Sequence, residues 1–156
     1  MMCCKVLRIE ELEKPAGLWC RHAVTGKGCG IYESRPPVCQ SFHCQWLVDS
    51  SLGPEWKPEK AKFVMSPDRD NKEIFKINVD PAFPDAWTKP PFLATIKNWV
   101  AGGAALGRFA LVQIGPRLIA VLPDRNVELG NVKPEVVLAR ERDPTGKTTQ
   151  VRVMPD

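Results

Sequence analysis

The chain has no cysteine after Cys44, so all six (Cys3, Cys4, Cys20, Cys29, Cys39, Cys44) crowd into the first third of its 156 residues. A disulfide framework for the remainder is thereby excluded. No run approaches the roughly 20 apolar residues needed to cross a bilayer as a helix. The first residues, MMCCKVLRIEELEKP, turn charged at once, without the basic start, apolar stretch and small residues of a secretory signal. There is no G-x-G-x-x-G loop for a nucleotide-like cofactor and no Ser, His and Asp arrangement for acyl transfer. The net charge of +4 comes from lysines and arginines scattered through the chain, so no basic patch points to nucleic acid. These absences describe a cytoplasmic protein, without a membrane span, whose reduced cysteines read as metal-binding or catalytic before they read as disulfides.

What is present is an ordinary globular composition, 44% hydrophobic and 26% charged, with 15 prolines that predict many loops and short elements. Two zones follow from the cysteine distribution: residues 1–50, a cysteine-rich metal-binding segment, and residues 51–156, an α+β sheet domain packed with the first as one unit. Breakers fill the first zone at Lys14-Pro15-Ala16-Gly17, Thr25-Gly26-Lys27-Gly28 and Arg35-Pro36-Pro37, so loops stapled by a metal are expected there. Residues 41–48 (SFHCQWLV) are expected to form a short helix turning Phe42, Trp46 and Leu47 inward.

In the second zone, AKFVM and EIFKINV are β-rich runs separated by the turn-forming SPDRDN, a hairpin pattern. FLATIKNWVAGG has helical spacing, with Pro90-Pro91 before it and Gly102-Gly103 at its end. RFALVQI and RLIAVLP flank Gly115-Pro116 as a central antiparallel pair. Of the shorter runs NVEL, EVVLARE and TTQVRV, the last two pair across Asp143-Pro144-Thr145-Gly146. The expected architecture is a small antiparallel sheet covered on one face by one helix.

The cysteine spacing contains no C-x-x-C pair, the usual mark of a zinc site; number, confinement and a reducing compartment carry the argument instead. Six soft ligands suit zinc or iron, and four of them would hold an iron-sulfur cluster with two to spare. Lys5, Arg8, Arg21, Lys27 and Arg35 lie near in sequence to offset thiolate charge. His22 and His43 flank cysteines, but the thiolates already suffice. Tyr32, Arg35 and Pro36 read as structural, the five tryptophans as packing, and Asp68, Asp70 and Asn71 as a solvated turn rather than a calcium loop.

Lys14 to Cys20 (KPAGLWC) and Gly28 to Leu47 (GCGIYESRPPVCQSFHCQWL), after a terminal cysteine pair, resemble a family of zinc- or iron-chelating domains. That family takes its name from a C-x-x-C-x-x-C-C motif. The resemblance covers about the first third of the chain and implies that Cys3, Cys4, Cys20, Cys29, Cys39 and Cys44 are metal ligands. It further implies, with both leading methionines as spacers, one cysteine immediately before Met1 and another three residues further upstream, for eight thiolates in all. Similar cysteine domains occur in flagellin lysine-methylases, so an enzyme component linked to protein methylation or redox chemistry is the rival to a metal-binding module without catalysis of its own, its site serving structure, metal handling or the docking of an unidentified protein partner. The metal is expected to be integral to the order of Cys3 to Trp46, with Cys29, Cys39 and Cys44 mattering more than Cys3.

Overall fold

The computed structural model describes residues 1–133 and 136–155. The cysteine-rich zone is a string of short elements: helix α1 (Cys3–Val6), a two-stranded ribbon of β1 (Ala23–Val24) and β2 (Gly28–Cys29), helix α2 (Pro37–Ser41) and helix α3 (Gln45–Val48). The single helix expected over 41–48 is instead broken. Phe42 turns extended and Cys44 stands in extended backbone just ahead of α3. Trp46 packs inward as expected, but Leu47 faces solvent, because a helix of one turn offers only one narrow apolar side.

After helix α4 (Pro58–Ala61) the chain builds a five-stranded sheet from β3 (Phe63–Pro67), β4 (Ile74–Val79), β5 (Phe109–Ile114), β6 (Arg117–Val121) and β7 (Asn126–Asn131), in that spatial order. Helix α5 (Phe92–Gly102) lies between β4 and β5 in sequence. Its Pro-Pro entry and Gly-Gly exit fall where the sequence places them. The sheet is mixed, and this corrects the expected antiparallel one. β3/β4, β5/β6 and β6/β7 are antiparallel, but β4 and β5 run parallel, Ile74 opposite Phe109 through Val79 opposite Ile114. The reason lies in the connection. A helix returning the chain to the starting end of the sheet lets the next strand pair only in parallel, whereas a short turn gives antiparallel neighbours.

Alternation along the strands builds two cores. Ala110, Val112 and Ile114 of β5, with Ile119 and Val121 of β6, face α5, where Ile96 and Val100 meet them. An aromatic cluster closes that layer, Trp56 and Phe63 each packing edge-on to Phe92 at 4.8 and 4.9 Å between ring centres. Phe109, Leu111, Leu118, Ala120 and Leu122 face the other way onto Val151. That residue belongs to an antiparallel ribbon of β8 (Leu138–Arg142) and β9 (Thr148–Val153). Both sheet faces are therefore covered. The ribbon is the one expected from residues 135–141 and 148–153, except that Glu135 lies outside the described residues. Asp68 accepts the backbone N–H groups of Asp70 and Asn71, so this segment is the turn the sequence predicts.

The edge strand β3 joins the two zones. Phe63 and Met65 point to the α5 core, while Val64 points oppositely and packs with Met2, Val6 and Cys44. Polar ties reinforce this. Lys5 Nζ donates to Asp80 Oδ2 at 2.7 Å, with Asp80 only 3% exposed, and Arg69 donates to the Val38 carbonyl of α2 at 3.2 Å. Gly17 adopts φ +81°, and a Cβ there would lie 2.9 Å from Pro81 Cγ, so only glycine lets this loop settle onto the segment after β4. Among the described residues no helix is long and apolar enough to cross a membrane.

Candidate metal centre

The cysteines are delivered by several different local devices. Cys3 and Cys4 sit in the single turn of α1, where helical rather than extended backbone relieves the opposed directions expected of neighbours in a strand. The Cys20 N–H donates to the Cys4 carbonyl at 2.8 Å, which docks the incoming loop against α1. Cys29 ends the β1/β2 ribbon opposite Ala23, and Gly30 N–H closes on the His22 carbonyl at 2.7 Å. Cys39 rides in α2, whose first turn is set by Pro36 and Pro37, and Gln40 ties that helix to the Arg35 carbonyl at 2.7 Å.

Cys3, Cys4, Cys20, Cys29 and Cys39 line one cavity of about 550 Å³, and His22 and His43 stand on its wall. Cys44 does not join them. It is buried in the apolar cluster with Met2, Val6 and Val64, and borders a smaller hollow of about 130 Å³ in which Cys3 is the only other cysteine. Cys39 and Cys44, five residues apart, therefore border different spaces. All six cysteines are free thiols. Among the described residues, no three or more His, Cys, Asp or Glu side chains converge into a group able to hold a metal ion. The sulfurs surround a shared space without forming a closed ligand shell.

The electrostatics of this space are those of crowded acids. The Cys4 thiol donates to Cys3, which lowers the Cys3 thiol to about 6 against burial, with the amino terminus helping. The same bond pushes Cys4 far up, and burial together with charge on Cys3, Cys20 and Cys29 adds to it. Burial also raises Cys39, followed by charge on Cys3, Cys20 and Cys29. Like charges in one cavity cannot all ionise unaided. A cation placed among them would reverse the sign of these interactions, and soft sulfur donors suit zinc or iron.

The basic residues divide differently from the expectation. Lys5 is committed to Asp80. Arg35 stacks on Tyr32, its Cζ 3.8 Å from the ring centre, and donates to the Tyr32 carbonyl. Arg8 and Lys27 reach the cavity wall, and Arg21 is exposed. A cation outside that set, Lys14, is the buried one, only 5% exposed, and its ammonium donates to the Lys5 carbonyl at 2.7 Å. Its signal in the sequence is its place at the head of KPAGLWC, immediately before the turn that delivers Cys20. No family model, curated protein or solved structure matches this chain.

Proposed function

We propose that the protein is a metal-binding module in which cysteine thiolates hold zinc or iron, the latter as an ion or an iron-sulfur cluster. The observation that carries the reading is that five free cysteines, from α1, the Cys20 loop, β2 and α2, line one cavity together with two histidines. Thiols buried only as small apolar groups have no need to gather around one space. Metal ligands do. The resemblance of KPAGLWC and GCGIYESRPPVCQSFHCQWL to zinc- or iron-chelating domains points the same way.

Because the side chains do not form a ready ligand shell, loading requires the sulfurs to draw inward, and metal affinity and the order of this segment are coupled. Cys3, Cys4, Cys20, Cys29 and Cys39 are the residues that would hold the metal from the cavity side, with Cys44 joining only if the extended backbone before α3 shifts.

Anaerobic purification, elemental analysis and an absorption spectrum test the proposal. Close to one or more equivalents of metal per chain is expected, colourless for zinc and brown for an iron-sulfur cluster. A chain that carries no metal as purified and takes up none on anaerobic reconstitution with zinc, ferrous iron or iron and sulfide would overturn it.

A further inference from the structure

The β8/β9 ribbon turns two arginines toward the sheet. Arg140 stands opposite Val151 and Arg142 opposite Thr148, and directly opposed residues of an antiparallel pair share a face. Val151 and Thr148 are buried there, Thr148 Oγ1 donating to the Gly107 carbonyl at 2.7 Å. A register shift between Glu141 and Arg142 re-aims the second arginine, and both guanidiniums reach one carboxylate oxygen. Arg140 Nη2 lies 2.8 Å and Arg142 Nη2 2.6 Å from Glu73 Oε2, just ahead of β4. The Arg142 guanidinium also lies over the backbone of Gly107. A Cβ added there, at φ +76°, would come within 2.7 Å of Arg142 Cζ, so glycine keeps this space open.

One carboxylate is too little acceptor for this corner. Arg140 Nη1 is sealed from solvent with no hydrogen-bond partner among the described residues, and so is Arg108 Nε. Arg108 heads β5 next to Glu73, whose carbonyl accepts the Phe109 N–H at 3.3 Å. The acids at the end of the ribbon are engaged elsewhere, Glu141 with Arg152 at 3.5 Å and Asp143 with the N–H groups of Thr145 and Lys147. Three arginines thus come together with one carboxylate, and a sealed guanidinium N–H without an acceptor has lost its water without replacement. The cluster is still within reach of solvent: the side chains of Arg140, Arg142 and Glu73 are 26%, 36% and 34% exposed.

We propose that Arg140 and Arg142, backed by the charge of Arg108, form a binding site for a phosphate group, free or carried as a monoester by a small molecule, and that the Glu73 carboxylate holds its place until it arrives. A carboxylate brings two oxygens and a single charge. A phosphate dianion brings at least three oxygens and a double charge, in the geometry that guanidinium forks match bidentately. It gives each arginine an oxygen of its own and leaves one for Arg140 Nη1 as that guanidinium turns to meet it. Glu73 is then an internal competitor, whose strength sets how much phosphate is needed. The site shares no residue with the cysteine cavity and stands apart from the metal-binding reading.

The test is titration of the whole chain with inorganic phosphate, and separately with phenyl phosphate, followed by amide chemical shifts. Saturable shifts are expected around residues 73, 107 and 140–142, and chloride at equal ionic strength should not reproduce them. Arg142→Gln should weaken binding about 10- to 100-fold, the weight of a charge-assisted hydrogen bond. Glu73→Gln removes the internal competitor and should strengthen binding, which a purely structural staple between ribbon and sheet does not do. That variant decides alone should Arg142→Gln not fold. Binding of both compounds supports a site open to monoesters, and binding of inorganic phosphate alone supports one for the free ion. The proposal is overturned by the absence of saturable shifts in both the parent and Glu73→Gln, by affinity unchanged or lowered in Glu73→Gln, or by a folded Arg142→Gln that binds as the parent does. Shifts that chloride reproduces overturn it as well, since they mark a diffuse positive surface.

Discussion

The ion pair between Lys5 and Asp80 is the strongest polar tie between the cysteine-rich zone and the sheet, and it makes a quantitative forecast. Asp80 is 3% exposed and accepts from Lys5 at 2.7 Å through one oxygen and from the Ala82 N–H at 3.0 Å through the other. Lys5→Met keeps the aliphatic stem but leaves the Asp80 carboxylate inside the protein with one backbone donor. Breaking a buried pair from one side costs about 3–5 kcal/mol. The Lys5 side chain is 18% exposed, so water tempers the loss, and the lower end, about 3 kcal/mol, is the appropriate figure. For a chain of this length that corresponds to a fall of about 9 °C in the unfolding temperature. Circular dichroism melts of metal-free protein measure it, and amide exchange locates it, with α1 and the Cys20 loop opening first. Asp80→Asn in the Lys5→Met background should recover part of the loss, because the stranded charge is then gone. A drop under about 2 °C in Lys5→Met, or a coupling near zero in the double-mutant cycle, would refute the view that this pair holds the two zones together.

Three further outcomes follow from the same geometry. Cys4→Ala removes the thiol that donates to Cys3, so the Cys3 thiol, held near 6 and ionised at neutral pH, should move back up; its alkylation at pH 7 is expected to slow about tenfold, and an unchanged rate would show that Cys4 is not the donor. Metal must displace the protons that burial and neighbouring charge hold on Cys4 and Cys39, so apparent zinc affinity should rise with pH, by about tenfold for each proton displaced over one unit; competition titrations at pH 6.5 and 7.5 with equal affinities would contradict this. Gly17→Ala places a Cβ 2.9 Å from Pro81 at a positive φ and should lower the unfolding free energy by about 2 kcal/mol, measured by urea denaturation; an alanine variant as stable as the parent would mean that the loop is free to lift from Pro81.

By itself the sequence determined what depends on neighbours along the chain. Proline before and glycine after set the limits of α5. Short turns bounded by alternating apolar residues set the three hairpins β3/β4, β5/β6 and β8/β9, and breakers kept the elements between Cys3 and Val48 short. It also determined the chemistry on offer, six soft donors confined to one zone. Tertiary structure decided what depends on which surfaces meet. The parallel pairing of β4 with β5 follows from where α5 finds an apolar face to bury, not from any feature of either strand. Val64 on β3 needs a cover, and Cys44 provides part of it, which draws that sulfur away from the cavity shared by the other five. The same packing sends Lys5 to Asp80 and encloses Lys14 against the backbone carbonyls that follow α1. Charges scattered in sequence carry no label for their partners; burial assigns them, because in a water-poor interior a charge settles only where an opposite charge or fixed dipoles can replace the water it has lost.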